Sequence, residues 1–331
     1  MPRVIVAMRD EALAAQLLDE AARERLTAIA EVVPGVMSDA ADPRWDADLA
    51  ECDILLTGWG GPTLDDELLA RAPRLTAVAH AAGTVKRIVT DASWARGIRV
   101  SSAADANGIP VAEYALSMIL LAGKRIFEAH EFMRSERSLL WAPLTALGNH
   151  RATIGIVGAS RIGRRVLELL RPFDHDVLLA DPTLSAADAM GLGATLVPLH
   201  ELLVRSRVVS LHAPLLESTL GMIGAEELSL MADGATLINT ARGAIVDTEA
   251  LVGELTSGRL RAVLDVTDPE PLPAGHPLYD APGVLLTPHV AGALGNELAR
   301  LGSHAVDEIA RLTRGESFAT EVHAAHVAGI A

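Results

Sequence analysis

Cysteine is nearly absent. Cys52 stands alone in 331 residues, which excludes an intrachain disulfide and a cysteine-based zinc site and fits a reducing compartment. Aromatic residues are only 3% of a chain that is 50% hydrophobic, so the core must be assembled from Ala, Val, Leu and Ile. That composition suits a parallel sheet wrapped by helices. Basic residues are outnumbered 28 to 43, and the formal net charge of −15 argues against nucleic acid and anionic membranes as partners, since both demand clustered Lys and Arg. No apolar run reaches the roughly 18 residues of a membrane-span candidate. Met1 to Asp10 lacks the basic region and cleavage site of a signal peptide. The expectation is a soluble, cytoplasmic protein without a metal site, long enough for two domains.

What is present is organised around Thr153 to Asp181. Thr153 to Val157 is mostly β-branched, as in a strand buried on both faces, and Gly158 breaks it. From Arg161 to Arg171 the apolar residues Ile162, Val166, Leu169 and Leu170 recur at helical spacing; Val177 to Ala180 is a second buried strand ending at Asp181. The turn Gly158-Ala159-Ser160-Arg161-Ile162-Gly163 is the G-x-G-x-x-G dinucleotide fingerprint with serine at the middle glycine. Gly158 permits the tight turn, Gly163 permits close packing of helix on strand, and the helix N-terminus offers amides and a positive dipole end to a pyrophosphate. Asp181 follows Gly163 by 18 residues, where a carboxylate accepts hydrogen bonds from ribose hydroxyls and repels the 2′-phosphate of NADP. The Ser160 Cβ occupies space where backbone normally approaches phosphate, while its hydroxyl is able to donate to a phosphate oxygen. The alternative for the whole unit is a plain strand-helix-strand turn.

The rest of the chain alternates strands and helices, the pattern of a parallel sheet. Strands are expected at 3–8, 53–56, 75–79 and 99–101, with one helix from Glu11 to about Ala30. One long helix is expected from Pro110 to about Met133, with Pro110 at its start, as a bridge between two domains. Ser135 to Arg151 reads as a surface connection. Strands follow at 194–197, 208–212, 235–240, 262–266 and 284–286, and helices at 199–204, 225–231, 248–257 and 296–314. Gly315 to Ala331 is a tail with little pattern.

Three polar residues stand just past three of these strands: Arg242 in Thr240-Ala241-Arg242-Gly243, Glu270 in Asp268-Pro269-Glu270-Pro271 and His289 in Thr287-Pro288-His289. Ligands of open α/β sheets bind outside the carboxyl ends of strands, so the three can meet at one rim. Singly, each has an ordinary reading: an arginine capping a carbonyl, a solvated loop acid, a satisfied loop histidine. Together, beside a dinucleotide turn, they form the set needed for hydride transfer to a carbonyl. Arginine grips a carboxylate with two prongs, histidine exchanges the proton, and a carboxylate orients the histidine and favours its charged form.

The segments LMADGATLINTARGAIVD, DVTDPEPLPAGHPL and LLTPHVAG, in that order, resemble the signatures of the D-isomer-specific 2-hydroxyacid dehydrogenase family. The resemblance is strongest from Thr153 to Gly292 and looser over nearly the whole chain. It implies an α/β fold of two Rossmann-like doubly wound parallel-sheet domains: a split catalytic domain, 1–105 plus 296–331, and an inserted NAD-binding domain, 106–295. It also implies a homodimer built through the nucleotide domain, NAD as cofactor and a small 2-oxo or 2-hydroxy acid as substrate. Carried over, Arg242 binds the substrate carboxylate and carbonyl, His289 is the acid/base and Glu270 its partner. Asp265 lies near the nicotinamide ribose and ring. Arg161 and Ile162 give amides to the pyrophosphate, Ala213, Pro214 and Thr219 line the adenosine side, and Thr240 and Ala241 flank the nicotinamide. The Ala82-Gly83-Thr84 loop is similar to the one whose amides hold the substrate carboxylate.

Three features depart from the usual pattern of that family. Ser160 replaces the second glycine, Lys86-Arg87 stand where Asp-Asn is frequent, and only a short stretch follows Arg314, against the longer phosphoglycerate dehydrogenases. Glutamate at position 270 disfavours formate dehydrogenase, which has glutamine there. Specificity is expected from loops around Trp59 and Gly83 and from the dimer neighbour. The alternative function is a non-catalytic NAD(H)-sensing protein of the same fold, similar to the corepressor branch of the family.

Overall fold

Runs such as Arg3–Ala7 and Thr153–Val157 are only five residues long and apolar on both faces, so they are satisfied only inside a sheet covered on both sides. The computed structural model describes residues 1–141 and 147–325. Arg3–Ala7 (β1), Glu11–Leu17 (α1), Glu20–Ile29 (α2), Glu31–Val32 (β2), Asp46–Glu51 (α3), Ile54–Thr57 (β3), Asp66–Arg71 (α4), Ala77–His80 (β4), Asp91–Ala95 (α5) and Arg99–Ser102 (β5) lead into Ala104–Gly123 (α6). Ile126–Glu136 (α7), Thr153–Val157 (β6), Arg161–Leu170 (α8), Asp176–Ala180 (β7), Ala186–Gly191 (α9), Thr195–Leu196 (β8), Leu199–Arg205 (α10), Val208–Leu211 (β9), Ala225–Leu230 (α11), Thr236–Asn239 (β10), Thr248–Thr256 (α12), Arg261–Leu264 (β11) and Val284–Leu286 (β12) follow. Leu298–Thr313 (α13) and Glu321–Val322 (β13) end the described chain.

Two compact units result: Met1–Asn107 with Ala293–Ala331, and Gly108–Gly292. The sheet of the first runs β13-β5-β4-β3-β1-β2, and all its pairs are parallel except β13 with β5. The sheet of the second runs β12-β11-β10-β9-β6-β7-β8, parallel throughout. Both are doubly wound, and alternation along the strands assigns side chains to the two faces. In β1, Val4 and Val6 pack with Leu13, Leu17, Leu301 and Ile309, while Ile5 packs with Leu49, Leu68 and Val100. In β10, Leu237 faces Leu251 and Leu255, and Ile238 faces Ile119 and Leu167. Small aliphatic residues therefore fill four layers with almost no aromatic help.

The structure corrects the sequence reading in several places. The helix expected from Glu11 to Ala30 is two helices, because the Asp19 backbone turns extended and its carboxylate accepts the Ala22 amide as a fresh cap. Pro110 does not start a helix: α6 begins at Ala104, and Pro110 lies inside it. The first turn is already formed, since the Asn107 amide donates to the Ala103 carbonyl at 2.9 Å. The long helix also stops at Gly123, and Arg125, with φ 49°, opens α7 as a separate element. The tail holds a strand after all, β13, whose Glu321 forms two hydrogen bonds of 3.0 Å with Arg99. Two residues have no periodicity to read; a distant edge defines them. The short elements α3, α4, α5, α9 and β2 were not expected either. Residues 142–146 of the expected connection and 326–331 of the tail lie outside the described residues.

Among the described residues α6 is the one helix long and apolar enough to cross a bilayer, with mean hydropathy 1.2 over a window half of which is buried in the protein. Its Ala112, Ala115 and Ile119 belong to the core of the Gly108–Gly292 unit.

Candidate active site

The Gly108–Gly292 unit gathers its polar residues along one edge, because every strand of its sheet points the same way. Thr287 and His289 follow β12, Asp265 follows β11, Thr240 and Arg242 follow β10, Ala213 follows β9, Gly158 follows β6 and Asp181 follows β7. The chain winds outward in both directions from β6, so the crevice between β6 and β9 is the topological switch point where dinucleotides bind in such sheets.

Gly158 has φ 92°, and a Cβ there would fall 2.6 Å from the Ala213 amide nitrogen. A Cβ on Gly163 would lie 2.1 Å from the Gly158 carbonyl oxygen. Both glycines are therefore demanded by close approach. Ser160 is the N-cap of α8, its Oγ accepting the Gly163 amide at 3.3 Å. That bond uses a lone pair and leaves the hydroxyl proton available, and the first-turn amides, Ile162 included, lie at the positive end of the helix. Asp181 takes the Ala159 amide at 2.7 Å on one oxygen, and the amide and hydroxyl of Thr183 at 2.8 and 2.6 Å on the other. Burial works against its charge, but these hydrogen bonds outweigh burial and hold the carboxyl below its ordinary range. Asp181 thus ties the glycine-rich turn to the end of β7.

Thr219 is less open than its assignment implies: its hydroxyl is 2.6 Å from the Pro214 carbonyl and accepts the Leu216 amide at 2.8 Å, closing the 214–219 loop on itself. Thr240 is the opposite case, a buried hydroxyl without a hydrogen-bond partner among the described residues. A buried polar group in that condition is costly, and at the rim beside Ala241 and Arg242 it suits a polar ligand such as the nicotinamide end of NAD.

Asn239, 1% exposed at the end of β10, shapes the next turn by accepting the Ala241 amide at 3.0 Å and donating to the Arg242 carbonyl at 2.9 Å. Arg242 has no carboxylate partner among the described residues; its Nη1 donates to the Ala241 carbonyl at 2.6 Å. Burial pulls its pKa below the ordinary arginine value, against the opposing charge of Glu270. A partly buried guanidinium whose prongs are not matched by a carboxylate is able to receive one.

His289 Nδ1 and Glu270 Oε1 are 2.6 Å apart. The contact fixes the ring and leaves Nε2 with no protein partner among the described residues. Asp265, 2% exposed, is expected at the nicotinamide, yet its carboxylate is engaged by Thr287, Val290 and Ala291. It thereby braces the loop that carries His289. Sequence reasoning did not single out Thr287 or Tyr114, whose hydroxyls are 2.8 Å apart. Thr287 was within sight, two residues before the histidine; nothing local marked Tyr114.

The Ala82-Gly83-Thr84 loop belongs to the other unit and follows β4. Ser102 Oγ donates to the Gly83 carbonyl at 2.5 Å, and Ala82 accepts the Ala103 amide at 3.1 Å. Beneath the loop His80 Nδ1 meets Thr57 Oγ1 at 2.9 Å, and burial, opposed by a bond to the Thr84 backbone, pushes this histidine down to about 4. Lys86 and Arg87 are exposed. Trp59 is 38% exposed, and its carbonyl accepts the Arg9 amide at 2.8 Å.

Residues 116–291 match the family model described as D-isomer specific 2-hydroxyacid dehydrogenase, NAD binding domain. The chain is 34% identical over 270 residues to the glyoxylate reductase of Korarchaeum cryptofilum, covering 80% of this chain and 81% of that protein. It is 32% identical over 300 residues to the D-3-phosphoglycerate dehydrogenase of Mycobacterium leprae, covering 87% of this chain but 56% of that protein; the chain spans about half the length of that relative. Among solved structures, the TT0316 protein of Thermus thermophilus matches with a TM-score of 0.75 and 32% identity over 97% of this chain and all of that one.

Proposed function

The chain belongs to the D-isomer-specific 2-hydroxyacid dehydrogenase family, with the NAD-binding domain of that family, and on that premise we propose that it is an NAD-dependent oxidoreductase interconverting a 2-oxo acid and a D-2-hydroxy acid. The observation that carries the reading is the 2.6 Å contact between His289 and Glu270 on the rim that also holds the partly buried Arg242.

Bound NAD supplies or accepts the hydride. The residues proposed to hold it are Gly158, Ser160, Arg161, Ile162 and Gly163 at the pyrophosphate, Asp181 at the adenosine ribose, Ala213, Pro214 and Thr219 on the adenosine side, and Thr240, Ala241 and Asp265 near the nicotinamide. In reduction the Arg242 guanidinium binds the substrate carboxylate and polarises the carbonyl, and the imidazolium of His289 donates a proton from Nε2 to the carbonyl oxygen. Glu270 holds the opposite nitrogen and orients the ring. In oxidation the neutral ring takes the hydroxyl proton back. The Ala82-Gly83-Thr84 loop is proposed to offer its amides to a substrate carboxylate, and the protein is proposed to act as a homodimer.

The test is loss of NADH absorbance with glyoxylate, hydroxypyruvate, pyruvate and bulkier 2-oxo acids. Turnover with any of them supports the enzyme; tight NADH binding without turnover of any supports an NAD(H)-sensing protein instead.

A further inference from the structure

His289 has φ 55°, one of four non-glycine residues among those described that adopt a positive φ. A residue with a Cβ keeps such a backbone only when its surroundings over-determine it. Here the surroundings are the buried Asp265 carboxylate, which accepts the Val290 amide at 2.8 Å, the Ala291 amide at 2.9 Å and the Thr287 hydroxyl at 2.6 Å. The backbone carbonyls of Asp265 and Thr287 share the His289 amide at 3.1 and 3.0 Å.

The Thr287 hydroxyl has one proton, and an ionised carboxylate only accepts. The proton therefore goes to Asp265, and the contact of 2.8 Å between Tyr114 and Thr287 must be a donation from the phenol. The chain of bonds has one direction: Tyr114 in α6 to Thr287, Thr287 to Asp265, with Asp265 gripping both sides of His289. Burial raises the Tyr114 phenol above its ordinary value, a rise that the Thr287 bond opposes and the Asp265 charge reinforces, so it stays a donor.

We infer that Tyr114 is a positioning residue for His289: by donating to Thr287 it keeps that hydroxyl turned onto Asp265, which holds residues 287–291 where Nδ1 of His289 meets Glu270. The inference rests on reading His289 as the acid/base. It extends that reading to a helix far away in sequence. Among the described residues the charged groups on this loop are Glu270, on His289, and Asp265, on Val290 and Ala291, and the Glu270 charge also acts on Arg242.

Tyr114→Phe keeps the ring and removes the donor. In the intact protein it should lower kcat for reduction by about 3- to 10-fold, the scale of one net hydrogen bond, with KM for the 2-oxo acid and NADH affinity unchanged. Thr287→Val should do the same and Thr287→Ser should restore activity. In a Glu270→Gln background Tyr114→Phe should add less than about a twofold change. An unchanged kcat in Tyr114→Phe overturns the inference. So does a lower kcat that comes with a reduced urea midpoint and an equal loss in the Glu270→Gln background, the mark of a merely structural role. Full turnover in His289→Ala is a separate result, which would remove the acid/base reading itself.

Discussion

His289 and Glu270 form their 2.6 Å contact while 52% and 44% exposed, respectively. So short a contact at that exposure is held by the loops beneath it, not by exclusion of water. In water a histidine and a carboxylate so exposed would contribute little to stability, in keeping with the proposed role of the pair in the reaction. His289→Ala should lower turnover by roughly 10²- to 10⁴-fold with the urea midpoint nearly unchanged. Glu270→Gln removes the carboxylate that holds Nδ1, so it should lower kcat, and adding it to His289→Ala should cost less than about twofold more. Steady-state rates of the single and double variants decide it, and additive losses would uncouple the two residues.

Arg242 is partly buried, and its only side-chain hydrogen bond among the described residues goes to the neighbouring Ala241 carbonyl. A lysine there offers a point charge in place of two parallel donors. Arg242→Lys should raise KM and lower kcat while leaving NADH affinity nearly intact. Calorimetric titration with NADH beside steady-state rates separates these effects, and full activity in the variant would take Arg242 out of the site.

Asp181 ends β7 as a carboxylate, and Pro182, Thr183, Leu184 and Ser185 bring no positive charge after it. A 2′-phosphate brought against it in a partly dry site costs on the order of a few kcal/mol, a preference for NADH over NADPH of about 10²-fold or more. Asp181→Ala should narrow that ratio and also loosen the turn, since the Ala159 amide loses its acceptor. The ratio of kcat/KM for the two coenzymes, measured with any accepted 2-oxo acid, is the readout; equal values in the wild type would show that Asp181 does not face the ribose.

Ser160 combines a cap with an available proton. Ser160→Ala should lower stability by about 1 kcal/mol through the lost cap, and Ser160→Gly by only a few tenths. Both should weaken NADH binding if the hydroxyl donates to phosphate. Tighter binding in Ser160→Gly would show instead that the Cβ crowds the pyrophosphate.

His80 and His212 are each 3% exposed and pushed by burial down to about 4, although they belong to different units. Unfolded, both protonate near 6.5. As pH falls from about 6.5 toward about 4 the unfolded chain takes up protons that the folded chain refuses, so stability declines through that window and levels off below it. Each histidine accounts for on the order of 3 kcal/mol. Urea midpoints measured from pH 7 to 4 should fall, and His80→Asn or His212→Asn should flatten the slope; a flat wild-type profile would contradict the burial argument.

Much of the architecture was legible because parallel strands buried on both faces are written as short apolar runs, and Thr153–Val157, Val208–Leu211 and Thr236–Asn239 all read that way. Helix ends were harder. The pattern from Glu11 to Ala30 reads as one helix because nothing in it marks Asp19 as a cap, and Pro110 reads as a start signal, although the turn before it is already closed by the Asn107 amide. Strand β13 was illegible in principle, since two residues carry no period. In the candidate site, the positions of Arg242, Glu270 and His289 past three strand ends could be read locally. The engagement of Asp265 by Thr287, Val290 and Ala291 could not, because it is a long-range arrangement whose members lie more than twenty residues apart in the chain.

The chain leaves its first unit at Asn107 and returns to it only at Ala293. On the ribosome, Leu301, Ala305 and Ile309 of α13, which pack against β1 and α1, emerge after the whole of the second unit. The edge of β5 meanwhile stays unpaired until Glu321 and Val322 arrive, and an open strand edge invites pairing with other chains. The contiguous second unit is free to fold as it emerges, whereas the first must wait, incomplete and partly apolar, for its last helix. Nascent or truncated chains ending before α13 will therefore depend most on chaperones, and their aggregation will trace to the unit that was synthesised first.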